Sequence, residues 1–314
     1  MKQLELKLNN FCVVLRGSTI AMLFLLIPLF AQGAVLYLEP SQGQYYQGDT
    51  FIISARIDTE NECINTVKAD LSFSQDILEV IDFSKGNSIL TIWLETPKID
   101  QNQGLISFVG GIPGGYCGTL PGEPEKPDLL GRIVFKIQEI RDKQQGWVEF
   151  LESSQVLLND GFGTPAKFIR KGAIFTILPE KTEIPKDEWK KELEKDNIPP
   201  ESFEIEIHQD PDIFDGKHFI VFQTQDKQTG IDYYEISETR DKRQEDWKSG
   251  ESPYLLKDQS LKSIIKVRAV DKAGNERIAE YIPTKRPFPW WIIILVLVVA
   301  GAIWWIIKRR KTQK

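Results

Sequence analysis

The 314 residues include only two histidines, His208 and His218, and three cysteines, Cys12, Cys63 and Cys117. Acid–base or nucleophilic catalysis needs such groups set beside a base or an activating charge. Both histidines fall in alternating, strand-like runs with no cysteine or serine signature nearby, so they read as solvated surface residues. Glycoside hydrolysis would need two carboxylates about 5–10 Å apart in a cleft, and nothing in the order of the acids marks such a pair. The stretch "DPDIFDG", Asp210 to Gly216, offers three carboxylates and a glycine. Its spacing departs from the alternating ligands of an EF-hand, so a polar inter-strand turn is its first reading and a calcium loop its second. Asn159-Asp160-Gly161 likewise reads as a turn. Two distant cysteines without a neighbouring histidine do not form a zinc ligand set. The sequence therefore predicts no enzyme, no metal site and no cofactor.

Binding is left, and one stretch suits it. In "NTVKADLSFSQDILEV", Asn65 to Val80, the apolar Val67, Ala69, Leu71 and Phe73 alternate with the polar Thr66, Lys68, Asp70 and Ser72. That is the pattern of a strand with one packed face and one wet face. The four polar residues are candidate ligand contacts. Polysaccharide recognition would call for exposed aromatic rings to stack on sugars. Four of the eight tryptophans lie in the apolar C-terminal run, while Trp189 and Trp247 lie outside the first strand-rich region, leaving Trp93 and Trp147. Trp93 in "SILTIWLETP" and Tyr116 in the glycine-rich "GGIPGGYCG" offer a small platform, with core packing as the competing role for Trp93. Tyr45 and Tyr46 are read as turn residues that pack.

The two ends frame this region. Lys2, Lys7 and Arg16 precede the apolar "IAMLFLLIPLF", and Ala31-Gln32-Gly33 supplies the small residues of a cleavage site, which predicts a signal peptide over 1–33. An apolar run over 288–307, with Trp290 and Trp291 at one end and Trp304 and Trp305 near the other, predicts a transmembrane helix. The basic tail 308–314 then predicts a cytoplasmic C-terminus and an outside ectodomain. The chain carries −6 overall, with +2 in the signal region and +5 in the tail, so residues 34–307 hold −13. Such an acidic surface repels phosphate backbones and argues against nucleic acid as a partner. In an oxidising compartment Cys63 and Cys117 are expected to pair, with two separate buried thiols as the alternative.

Short alternating or β-branched segments separated by turns fill 34–180 and predict an antiparallel β-sandwich. Residues 181–200 are charged and bounded by prolines; they read as a linker with a short exposed helix and Trp189 as a minor packing contact. A second set of strands follows over 201–284, with Asp271-Lys272-Ala273-Gly274-Asn275 as a hairpin turn. The fold class expected is all-β, two sandwiches followed by one C-terminal helix.

The blocks "GDTFIISARID", "INTVKADLSFSQDILEVIDFSKGNSI", "GRIVFKI" and "SSQVLLNDGFGTPA" resemble, in order, those of cohesin domains. The resemblance spans nearly all of 34–178. It implies a jelly-roll sandwich that holds a protein partner, a dockerin, or in related modules a polysaccharide. It also places the contacts on the strand bearing Thr66, Lys68, Asp70 and Ser72. Thr66 and Lys68 stand where many cohesins have Asn and Asp, and Phe73-Ser74-Gln75 stands for Tyr-Asp-Pro, so a departure from the standard dockerin partner is implied. "VRAVDKAGN" and its surroundings are similar to bacterial immunoglobulin-like or fibronectin type III-like modules, which implies a spacer or adhesion unit.

Overall fold

The computed structural model describes residues 33–121, 123, 128–179, 184–241, 245–283 and 290–312. Residues 1–32, which hold nearly all of the expected signal segment, lie outside them. The chain divides into two compact units, the first comprising Met1–Ile198 and Asp226–Ile231, the second Pro199–Gln225 and Asp232–Lys314.

The first unit is built from twelve strands: β1 (Ala34–Glu39), β2 (Gln42–Tyr46), β3 (Thr50–Asp58), β4 (Ile64–Phe73), β5 (Leu78–Ser84), β6 (Ile92–Asp100), β7 (Leu105–Tyr116), β8 (Asp128–Ile137), β9 (Gln144–Phe150), β10 (Gln155–Leu158), β11 (Phe168–Lys171) and β12 (Ala173–Leu178). One sheet runs β11-β1-β3-β8-β5, and the other runs β2-β12-β9-β4-β7-β6 with β10 also paired to β4. Pairing is antiparallel except for β1 with β11 and β2 with β12. Alternation drives the two sheets together, because each contributes one apolar row per strand to a single core. In β4 Ile64, Val67, Ala69 and Leu71 are fully buried; Phe51, Phe108, Phe135 and Phe175 fill the middle. Tyr45 belongs to this packing, stacked on Phe51 with ring centroids 4.0 Å apart, and burial pushes its phenol up to about 12.

The segment read as a linker joins this unit instead. Helix α1 (Glu188–Lys195) is capped by Asp187, whose side chain accepts from the Lys190 N–H. The residues before it are stitched to the sandwich: Thr50 N–H donates to the Lys186 carbonyl at 2.8 Å, and Lys186 N–H to the buried Asp49 carboxylate at 2.7 Å. Trp189 is 6% exposed, with the Arg132 guanidinium 6.0 Å from its ring. A linker reading rests on the charged residues, which are the solvent face; the buried Trp189 anchors the helix, with the half-buried Leu193 one turn on.

The second unit holds β13 (Glu206–Asp210), β14 (Ile213–Val221), β15 (Ile231–Thr239), β16 (Lys248–Ser249), β17 (Tyr254–Leu255), β18 (Ile264–Asp271) and β19 (Glu276–Tyr281). They form sheets β13-β14-β17 and β16-β15-β18-β19 around Ile220, Phe222, Ile236, Leu256, Ile265 and Val267. The expected hairpin joins β18 to β19, with Asp271 accepting from the Ala273 and Asn275 N–H groups and Gly274 at φ 89. Helix α2 spans Trp290–Thr312. Among the described residues no helix is long and apolar enough to cross a membrane.

Candidate functional site

The outward rows of the seven-stranded sheet follow from its register, since directly paired residues share a face. Thr66 sits between Leu157 of β10 and Gly111 of β7, and Gly111 in turn faces Ile92 of β6. Lys68 sits between Gln155 and Val109, the latter opposite Glu95. Asp70 pairs with Ser107, which faces Lys98. Ser72 lies between Glu149 of β9 and Leu105, with Asp100 beyond. The result is a continuous surface in which threonine, serine and charged groups alternate with aliphatic ones.

Charges on this face are paired locally. Lys68 Nζ lies 3.2 Å from Asp70 Oδ2, and Lys98 Nζ 2.9 Å from Glu95 Oε2. Asp70 is also fixed through its backbone, whose N–H donates to Ser154 Oγ at 3.1 Å while its carbonyl accepts from Ser154 Oγ and the Leu151 N–H. Side chains held this way lose little freedom on binding, which is the condition for a rigid contact surface. Exposed pairs of this kind add little to folding stability.

Trp93 and Tyr116 do not belong to this surface. Trp93 pairs with Gly110, which pairs with Val67, a fully buried residue. Its ring therefore faces the core, 5.8 Å from Phe108 and 6.1 Å from Phe83, and only Lys85 Nζ, 4.8 Å from the ring, caps it. Tyr116 pairs with Ile64 and is 3% exposed. The proposed aromatic platform is corrected accordingly: the period-2 parity of both residues points them inward, and the bulge between Trp93 and Glu95 hides that parity in the sequence. Trp147 is more exposed, at 39%, and has Ile174 as its cross-strand neighbour.

Cys63 and Cys117 are joined, with their sulfurs 1.93 Å apart. Around them three loops are tied together: Thr59 Oγ1 donates to the Cys117 carbonyl at 2.7 Å, Asn159 N–H to the Cys63 carbonyl at 2.8 Å, and Asn159 Nδ2 to the Gly114 carbonyl at 2.9 Å. Asn159-Asp160-Gly161 is a turn, with Asp160 Oδ1 accepting from the Phe162 N–H at 2.8 Å and Gly161 at φ 77.

The other sheet bears a cavity of about 690 Å³ walled by Tyr37, Glu39, Asp58, Glu60 and Lys171. Beside it Arg56 Nε lies 2.7 Å from Glu39 Oε2, and burial pushes the Asp128 carboxyl up to about 6, an effect that the charge of Arg56 opposes. Asp128 Oδ2 has no hydrogen-bond partner among the described residues.

The histidines lie on opposite faces of one sheet: His208 pairs with Phe219, and His218 with the next residue along, Gln209. They cannot act together. His208 Nε2 is 3.0 Å from Glu206 Oε2 at the surface. In "DPDIFDG", Pro211 and Asp212 form the turn between the paired Asp210 and Ile213, with Asp210 Oδ1 accepting from the Asp212 N–H at 2.8 Å, and the positive φ of Phe214, Asp215 and Gly216 accompanies a register irregularity at the start of β14. Two further carboxylates of the first unit, Asp196 and Asp226, are buried and committed to loops: Asp196 Oδ2 accepts from Thr229 Oγ1 at 2.6 Å, and Asp226 Oδ2 from the Gly230 N–H at 2.7 Å.

No family model matches the chain, and no curated protein matches it. Similar solved structures are cohesin domains. They include a chain of a type I cohesin–dockerin complex from Clostridium thermocellum (15% identity, 48% of this chain and 96% of that one, TM-score 0.39). A non-cellulosomal cohesin from the archaeon Archaeoglobus fulgidus is similar over 46% of this chain and 91% of its own, at 16% identity and TM-score 0.36. The seventh type I cohesin of a scaffoldin from Pseudobacteroides cellulosolvens matches over 49% and 96%, at 12% identity and TM-score 0.37.

Proposed function

We propose that the first unit is a non-enzymatic protein-recognition module whose contact surface is the outer face of the seven-stranded sheet, centred on Thr66, Lys68, Asp70 and Ser72. The carrying observation is the division of β4: its inward residues Val67, Ala69 and Leu71 are fully buried, while the outward ones form ordered cross-strand rows with an ion pair at their centre. Mixed aliphatic and polar rows on a pre-organised sheet suit a protein surface, where a desolvated centre and a polar rim are both needed. In this reading residues 288–307 anchor the protein in a membrane with 308–314 on the cytoplasmic side. Residues 201–284 act as an immunoglobulin-like or fibronectin-like spacer, and the first unit is displayed at the cell surface.

Polysaccharide is the other partner the sequence suggested. It has lost its platform, because Trp93 and Tyr116 face the core. The test is sedimentation of the full chain in detergent with insoluble cellulose, chitin and peptidoglycan, run with Lys68→Glu and Trp93→Ala. Protein recognition predicts no saturable sedimentation with any of the three. Saturable binding that Lys68→Glu abolishes would instead make the same face a carbohydrate site, and binding untouched by Lys68→Glu would remove function from this face.

A further inference from the structure

The loops tied together around the disulfide each do something a connecting loop need not do. Phe162 is 90% exposed at the tip of its turn, and Leu120 is 57% exposed in the loop after β7. Local hydrogen bonds close both turns. Phe162 is flanked by Gly161 at φ 77 and Gly163 at φ 69, and its own N–H is taken by Asp160. The Glu123 carboxylate accepts three backbone N–H groups, from Cys117 at 2.7 Å, Thr119 at 2.9 Å and Leu120 at 2.8 Å, and against the opposing effect of desolvation these bonds lower its pKa. The third loop places Glu60 and Asn61 at φ 49 and 73. Left-handed backbone costs non-glycine residues on the order of 1 kcal/mol each, and it persists only where the surroundings impose it.

Among the described residues of these loops the charged side chains are all acidic. Residues 59–63, 112–121 and 158–165 carry Glu60, Glu62 and Asp160 and no lysine or arginine, and Glu123 adds a fourth carboxylate. A second copy of the chain would bring the same charges against these, so self-association through the tip is disfavoured. We propose that the loops tied together at the disulfide dock a protein partner, with Phe162 inserting into an apolar cleft rimmed by lysine or arginine and Leu120 adding apolar contact area. The proposal rests on the recognition reading above, because Leu157 and Gly111, which flank Thr66, lead directly into the same loops. Aromatic anchors in rigid loops give large contact area at low entropic cost, and such residues dominate interface energetics.

The experiment pans a phage-displayed library of random peptides against the full chain in detergent, immobilised by its C-terminus, with Phe162→Ala and Lys68→Glu in parallel. Enriched peptides are expected to join an aromatic or large aliphatic residue to lysine or arginine, to bind more weakly at high salt, and to lose at least about 10-fold in affinity for Phe162→Ala. The melting temperature of that variant is expected to stay unchanged, since the ring lies in solvent. Peptides that bind Phe162→Ala and wild type equally, or no enrichment over the Phe162→Ala background, would overturn the anchor. If those peptides are lost with Lys68→Glu, the sheet-face reading survives without it; if they ignore both variants, both readings fall.

Discussion

Asp128→Asn should stabilise the first unit, and the pH dependence of the gain identifies its cause. Asp128 is 3% exposed and begins β8, with Oδ2 unpartnered among the described residues. Burial raises its carboxyl from 3.8 to about 6. Between those values the unfolded chain has lost the proton while the folded one keeps it, so the unfolded state binds fewer protons and stability falls as pH rises through this window. Above about pH 6 the penalty is constant. At 1.36 kcal/mol per pH unit it is at most about 3 kcal/mol. That figure is already net of the attraction of Arg56, so the neutral asparagine should gain up to about 3 kcal/mol at pH 7. Denaturant unfolding of both proteins at several pH values between 3.5 and 7.5 reads the difference directly, taking those limits as roughly spanning the two ionisations. The expected difference is near zero at the acid end, grows across the window and then levels off. A difference that does not change with pH, or an Asn variant less stable at pH 7 than wild type, would refute the desolvation argument.

Other outcomes follow from the packing. Replacing both Cys63 and Cys117 by Ala removes a cross-link with a sequence separation of 54 and should cost about 2–4 kcal/mol, read as a lower denaturant midpoint. Trp189→Ala should destabilise the first unit by about 3 kcal/mol, because the ring is buried; a loss under about 0.5 kcal/mol would restore the linker reading. Trp93→Ala should cost a similar amount through lost contact with Phe83 and Phe108. Lys68→Ala should change stability by less than about 1 kcal/mol, since its ion pair with Asp70 is partly solvated.

What could be read from the sequence was decided by periodicity. The buried and wet faces of β4 are plain in the alternation Asn65 to Phe73, and the hairpin at Asp271–Asn275 announces itself by turn chemistry. The direction of Trp93 was not readable, because the bulge after it shifts the parity and only the pairing with Gly110 fixes it. Helix α1 was legible as a helix, with Trp189 and Leu193 at i, i+4 on one face, but its docking was not, because two turns of helix do not say what that face packs against. The tie between the loops at Cys63, Cys117 and Asn159 depends on partners far apart in sequence, which no local pattern encodes.

The most direct measurement of the central claim is site-specific photo-crosslinking in cells that express the full chain. A photoreactive residue at Thr66 is compared with one at Glu79, an exposed position on β5 in the other sheet. Recognition through the outer face of β4 predicts a discrete protein adduct from position 66 that is absent from position 79 and is lost when Asp70→Lys is added. Identical adduct patterns at the two positions, or an adduct at 66 indifferent to Asp70→Lys, would contradict it.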